Sequence, residues 1–272
     1  MQNKRGNTIK SKRMRIAAMI IAFLLLSATV AAILVYNGVI LLNDPSKEEY
    51  PVRGVDVSSY QGEIEWKTLC SQNIDFVFIK ATEGSSFTDP CFPYNYAEAQ
   101  KNNISVGAYH FFSYDSAGLS QAKNFIDTVV PFEGMLPPVI DLEFYGDKEK
   151  NPPGRDTVRK ELNDMLFALE DHYGMKPIIY ATEKSYDLYL SGEYEEYDIW
   201  IRNVIARPNL SDAKSWAFWQ FTNREKFDGY KGKEEYIDVN VFHGSREEFL
   251  LYPRFCDNTY EGSNPCERSN PS

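Results

Sequence analysis

The chain has 272 residues, 43% of them hydrophobic and 25% charged, which is enough for a folded domain with a sizeable core. Its formal net charge of −10 at pH 7 makes nucleic acid an improbable partner, because phosphates would be repelled. The charge is unevenly spread, since the first 15 residues contain basic side chains and no acid. Residues 16–272 therefore have a more negative net charge than the whole chain. Such a surface suits a neutral or cationic polymer better than nucleic acid as a partner.

The N-terminus predicts a membrane segment. Residues 1–15 form a basic leader, and 16–42 are uncharged. Residues 16–36 would span about 31 Å as a helix, enough to cross a hydrocarbon core. The basic leader predicts a cytoplasmic N-terminus, a transmembrane signal-anchor over 16–42 and an extracytoplasmic remainder, attached to the cell membrane. A cleaved signal peptide at the small residues 28–32, giving a secreted protein, is the alternative.

Four cysteines follow the membrane segment, where disulfides persist. They are Cys70, Cys91, Cys256 and Cys266. Three pairings are open, and the sequence does not choose between them. The last two lie in a polar tail, residues 253–272, for which we predict a local loop.

A short linker is predicted over 43–51 and one globular domain over 52–252. Apolar runs predict eight strands, at 52–58, 75–81, 104–112, 139–144, 177–181, 198–203, 216–221 and 236–241. Amphipathic stretches predict helices at 64–71, 94–101, 119–130, 157–172 and 183–190. About five βα units followed by three strands predict an α/β fold, an irregular TIM-like barrel, with its chemistry at the carboxyl ends of the strands.

Two acids stand in the apolar strand at 139–144. Asp141 and Glu143 are two residues apart, so on a strand they share one face. Like charges this close raise at least one pKa, which suits general acid chemistry and above all glycoside cleavage. The plainer interpretation is a solvated strand end or a cation site.

Two further acids belong to the first and last strands. Those strands are neighbours in a closed barrel, so Asp56 and Asp238 are expected to meet at one side of the mouth. Together with Asp141 and Glu143 they would ring a single cavity.

Several blocks of sequence resemble, in order, the glycoside hydrolase family 25 lysozymes, also called Chalaropsis-type muramidases. The resemblance covers Arg53 to about Phe242. The blocks are residues 54–58 with 61–62, 78–84, 107–112, 141–143, 216–221 and 237–242.

The resemblance implies cleavage of the β-1,4 bond between N-acetylmuramic acid and N-acetylglucosamine in peptidoglycan glycan strands, without a metal or organic cofactor. By position, Glu143 corresponds to the general acid and Asp141 to the group that orients the substrate N-acetyl. Asp56 and Asp238 correspond to residues of the site floor. The stereochemical outcome stays open, and we favour assistance by the substrate's acetamido group.

Aromatic side chains are a second indication, because sugar rings stack their C–H faces on them. Tyr109, Tyr180 and Trp219 lie in or beside strand ends that are predicted to face the mouth. Ordinary core packing is the alternative for each of them.

Other polar residues have plainer interpretations. The three histidines show no metal-ligand spacing, so His110 is predicted to be structural. Lys80 and Glu83 are equally consistent with an ion pair and with substrate contact. After Trp200-Ile201 the family usually has Ala and then an aromatic residue one position further on, whereas this chain has Arg202-Asn203-Val204, which suggests an altered subsite.

Two other functions remain open at this stage. One is a barrel that binds wall glycan as a scaffold without cutting it, to which the anchor and the Arg202 region point. The other is a glycosidase for another N-acetylated polymer such as chitin.

Overall fold

A computed structural model describes residues 2–256 of the chain, and side chains from residue 12 onward. The chain forms two compact units, Met1–Leu42 and Asn43–Ser272. The first consists of helix α1, Gln2–Tyr36. Within it Lys12–Tyr36 contains an 18-residue window with a mean hydropathy of 2.7 and no buried residue, so by length and composition it is a candidate for a membrane span.

The second unit is a closed barrel. Its strands are β1 (Arg53–Val57), β2 (Phe76–Glu83), β3 (Phe87–Thr88), β4 (Ser105–Phe111), β5 (Val139–Leu142), β6 (Ile178–Thr182), β7 (Ile199–Arg202), β8 (Phe218–Glu225) and β9 (Ile237–Phe242). All except β3 form the barrel wall, which closes where β1 pairs with β2. The prediction of an eight-stranded α/β barrel is confirmed.

Six helices accompany the strands within residues 43–256. They are α2 (Trp66–Cys70), α3 (Phe92–Ala99), α4 (Gly118–Thr128), α5 (Arg155–Tyr173), α6 (Glu183–Ser185), which continues as a π-helical turn over Tyr186–Leu190, and α7 (Arg246–Leu250). Neither β3, a two-residue strand that folds back on the end of β2, nor α7 was predicted from the sequence. Both are too short to show a periodicity.

The last strand runs against the others. The strands from β1 to β8 that form the wall pair in parallel, but β9 is antiparallel to both of its neighbours, β8 and β1. The start of β9 therefore lies at the end of the barrel where the other strands finish. Residues near that start share the mouth with residues late in β1 and β5.

Large side chains fill the barrel interior. Phe78 stacks on Trp200 at 4.9 Å between ring centroids, and Trp200 meets Tyr180 edge-on at 4.7 Å. Gly54 and Gly107 make room for this packing, because a Cβ at either position would lie within 2.6 Å of the ring of Phe76 or Phe78. The core thus closes the floor of the barrel beneath the mouth.

The segment 43–51, predicted as a linker, differs from that expectation because it belongs to the second unit. Tyr50 is 2% exposed and its ring stacks on Trp216. Asn43 donates to the Asn203 carbonyl, at 3.4 Å. The predicted loop in the polar tail extends to Cys266, outside the described residues, whereas Cys70 and Cys91 are free thiols.

Candidate active site

Asp56 is the centre of a hydrogen-bond network at the mouth. It is 8% exposed, and its Oδ2 accepts from Gln220 Nε2 at 3.0 Å and from Asn240 Nδ2 at 2.8 Å. Burial raises the pKa of Asp56, and the hydrogen bonds from Asn240 and Gln220 oppose the rise. The carboxylate is thus buried and supplied with donors.

The side-chain amides of Gln220 and Asn240 are each hydrogen-bonded to an aromatic residue of the barrel interior. Gln220 Oε1 accepts from Tyr180 Oη at 2.9 Å, and Asn240 Oδ1 accepts from Trp200 Nε1 at 2.8 Å. Each amide is thereby fixed in orientation, with its NH₂ group turned toward Asp56. Gln220 and Asn240 were not predicted from the sequence, although each is a polar residue in a largely apolar block of the last two strands.

Asp238 lies opposite Asp56 in the antiparallel pairing of β9 with β1. Burial and, next, the charge of Asp56 raise the pKa of Asp238 well above its usual range. The two carboxyl groups are hydrogen-bonded to each other, and because Asp56 already accepts two amide N–H groups, Asp238 is the donor in that bond.

Asp141 and Glu143 face the same mouth from β5. Asp141 is 8% exposed, and among the described residues its buried Oδ1 has no hydrogen-bond partner. Glu143 follows β5 directly, one residue past its end, and is partly exposed. Burial and then the charge of Glu143 raise the pKa of Asp141 well above its usual range. Burial also raises the pKa of Glu143, against the opposing charge of Arg202.

Tyr109 and Tyr180 reach the same space from β4 and β6. Burial raises the pKa of Tyr109 well above its usual range, and the charges of Asp56 and Asp141 add to the effect. Tyr109 is partly exposed, whereas Tyr180 is 5% exposed with its hydroxyl on Gln220. Tyr109 therefore has surface to offer a ligand, and Tyr180 is part of the floor.

The expectation that Trp219 faces the mouth is wrong. Its neighbour Gln220 points inward, and adjacent residues on a strand point to opposite faces. Trp219 is 2% exposed, packs edge-on against Tyr50 at 5.8 Å and donates from Nε1 to the Asn203 carbonyl at 2.8 Å. Its ring is buried outside the barrel wall, so it does not line the mouth.

Two cations border the acids. Lys80 Nζ bonds Glu83 Oε2 at 2.7 Å and lies 4.7 Å from the centre of the Phe111 ring. Arg202 ends β7, and its charge lowers the pKa values of Glu143 and Asp238. Lys80 is thus held in a pair, which fits the ion-pair interpretation of the sequence.

His110 lies away from the acids. It is fully buried, with Nδ1 2.7 Å from Thr82 Oγ1 and Nε2 3.1 Å from Gln121 Oε1. Burial lowers its pKa to about 4, so the ring is neutral at pH 7. Across residues 12–256 no group of three or more His, Cys, Asp or Glu side chains is arranged to hold a metal ion.

Buried carboxyl groups with raised pKa values are gathered at the end of the barrel where the parallel strands finish, an arrangement that suits glycoside hydrolysis. The model of the glycosyl hydrolases family 25 matches residues 55–230. The chain belongs to this family and is a glycoside hydrolase.

Relatives agree with the family assignment over most of the chain. A family 25 glycosyl hydrolase structure from Bacillus anthracis is 54% identical, covers 77% of this chain and 96% of its own, and has a TM-score of 0.73. Uncharacterized protein YegX of Escherichia coli (strain K12) is 35% identical over 75% of this chain and 74% of its own length. Lysozyme M1 of Streptomyces globisporus is 29% identical over 73% of this chain and 70% of its own length.

Proposed function

We propose that the chain is a muramidase that hydrolyses the β-1,4 bond between N-acetylmuramic acid and N-acetylglucosamine in peptidoglycan. The observation that carries the proposal is the pair formed by Asp141 and Glu143, whose pKa values are both raised at the mouth of the barrel. The family and the lysozyme named among the relatives supply the substrate class.

In this proposal Glu143 is the general acid. It is partly exposed at the end of β5, where a glycosidic oxygen has access, and its raised pKa lets it carry a proton near neutral pH. It protonates the leaving oxygen as the bond to the anomeric carbon breaks. It later takes a proton from the water that attacks the anomeric carbon.

Asp141 acts on the substrate acetamido group. Its unpartnered Oδ1 is an acceptor for the acetamido N–H, which turns the acetamido oxygen toward the anomeric carbon. Accepting that hydrogen bond stabilises the Asp141 carboxylate and lowers its pKa, which leaves Glu143 as the protonated member of the pair when substrate binds. The acetamido oxygen then bonds to the anomeric carbon as the leaving group departs, which gives an oxazolinium ion for water to open.

The experiment compares Glu143→Gln with a matched control, Glu149→Gln. Glu149 is an exposed acid a few residues further on, paired with Lys184 at 3.3 Å. On purified peptidoglycan, Glu143→Gln is expected to lose about 10²- to 10⁴-fold in kcat at an unchanged melting temperature, while the control keeps full activity. Full turnover by Glu143→Gln would refute the acid assignment.

Products distinguish the remaining functions. A muramidase leaves muramic acid at the new reducing ends, which mass spectrometry detects. Binding to wall glycan with no new reducing ends would instead support a scaffold. Release of chitin oligomers alone would support a glycosidase for another N-acetylated polymer.

For the cellular location we propose that α1 anchors the enzyme in the cell membrane with the barrel outside. The support is the length and apolar composition of Lys12–Tyr36 after a basic leader. Fractionation of cells that express the full chain should place it with membranes, and deletion of residues 2–42 should release it. A mature product that begins after residue 32 would instead show a cleaved leader.

A further inference from the structure

Arg202 is a cation at the acid site whose guanidinium is not hydrogen-bonded to the acids. It pairs with Gln220 across β7 and β8 and lies two residues after Trp200, so its side chain points to the barrel interior as theirs do. It is partly exposed. Among the residues that the structure describes, its guanidinium has no hydrogen-bond or ion-pair partner.

The nearby acids obtain their hydrogen bonds elsewhere. Asp56 accepts from Gln220 and Asn240, and Asp238 shares a proton with Asp56. Lys80, the other cation of the site, is bonded to Glu83. The donors of Arg202 are therefore free for a ligand.

The end of β7 is rigidly held. The Asn203 carbonyl accepts from Trp219 Nε1 at 2.8 Å, and Asn203 Nδ2 donates to Glu183 Oε1 at 2.8 Å. Its Oδ1 also accepts from two backbone N–H groups of the next turn. Arg202 is thus presented from fixed backbone, as a specificity residue needs to be.

We infer that Arg202 binds the lactyl carboxylate of N-acetylmuramic acid, so that the enzyme prefers glycan strands whose stem peptides have been removed. This inference rests on the proposed function. A guanidinium binds a carboxylate through two parallel hydrogen bonds, and an amide in its place offers one neutral oxygen. The lactyl carboxyl is an amide while the stem peptide is attached and an anion once it is removed.

The test uses two substrates that differ only in this group. One is glycan freed of peptides by an amidase, which leaves the carboxylate, and the other is the same glycan with those carboxylates converted to methylamides. Wild type is expected to favour the carboxylate form by about 10- to 100-fold in kcat/KM, the range of a charge-assisted hydrogen bond. Arg202→Ala is expected to lose that preference, so that its kcat/KM values for the two glycans agree within about twofold.

Two further variants complete the design. Arg202→Lys keeps the charge but not the planar fork, and should retain part of the preference. Arg207→Ala, which removes an exposed arginine paired with Glu49 at 2.9 Å, is the matched control and should retain all of it.

Equal cleavage of both glycans by wild type would overturn the inference. An equal loss on both in Arg202→Ala would also overturn it, and would show that Arg202 acts on the acids. Failure of wild type on both glycans and on intact peptidoglycan would instead contradict the proposed function.

Discussion

Asp56 and Asp238 face each other across the antiparallel pairing of β1 with β9, and their carboxyl groups are hydrogen-bonded. Two carboxylates cannot share that geometry without a proton. Asp56 already accepts two amide N–H groups, which favours its ionised form, so the proton resides on Asp238.

This proton makes stability depend on pH. Both acids have raised pKa values in the folded state. At pH values between the usual carboxyl pKa and these raised values, the folded chain therefore binds more protons than the unfolded chain. Their stabilising contribution is complete below pH 4 and is lost as pH rises through the folded values. We expect Asp238→Asn, which keeps a donor for Asp56, to flatten that decline by up to about 1.4 kcal/mol per pH unit.

Urea unfolding from pH 4 to 8 measures the effect. Asp171→Asn, which replaces an exposed acid of α5, is the control and should follow wild type. An unchanged slope for Asp238→Asn would contradict the shared proton.

A second prediction concerns the acetamido partner of Asp141. We expect Asp141→Asn to lower kcat about 10²- to 10³-fold on N-acetylated glycan, because Oδ1 can no longer accept with a full charge. De-N-acetylated glycan should be a similarly poor substrate for wild type, and the two losses should not add, since each removes the same interaction. Steady-state rates of wild type and Asp141→Asn on each of the two glycans test this. Additive losses would argue against the acetamido role.

Tyr109 and Tyr180 form a matched pair for a third prediction. Tyr180→Phe removes the donor to Gln220 Oε1 in a buried layer, and should lower the free energy of unfolding by about 1–3 kcal/mol. Tyr109 is partly exposed, and its hydroxyl has no hydrogen-bond partner among the described residues. Tyr109→Phe should leave stability within about 0.5 kcal/mol of wild type and raise KM. Equal destabilisation of both variants would place Tyr109 in the floor as well.

The barrel could be predicted because each wall strand is an apolar run of nearly the right length, bounded by polar turns. The direction of β9 could not, since a strand has the same residue pattern in either direction. The antiparallel direction of β9 matters for the site because Asp238, near the start of that strand, is thereby placed at the mouth.

The side-chain errors have a related cause. Trp219 and Gln220 are neighbours, and the choice of which one faces inward is set by pairing with β7 and β9. Substrate binding was predicted for the aromatic residue, and no role was predicted for the amide that contacts Asp56. The segment 43–51 is polar enough to predict a linker, but the buried ring of Tyr50 and the hydrogen bond from Asn43 to the Asn203 carbonyl attach it to the barrel.

The last prediction concerns His110. Gln121 Oε1 accepts from the Ser113 N–H at 2.7 Å, so it also accepts from His110 Nε2, and Nδ1 is left to accept from Thr82 Oγ1. The buried ring is neutral, with its pKa lowered to about 4. A lowered folded pKa contributes stability that is complete above about pH 6.5 and is lost as pH falls toward 4, up to about 3 kcal/mol in all.

His110→Gln removes this titration, whereas the raised pKa values of the site acids act in both proteins. The difference in free energy of unfolding between wild type and His110→Gln, measured in urea at pH 7.5, 5.5 and 4.5, should therefore shrink as pH falls. A difference that stays constant across these pH values would mean that the ring is not held neutral. Activity at pH 7 per folded molecule should be the same in both, because His110 does not contact the acids of the mouth.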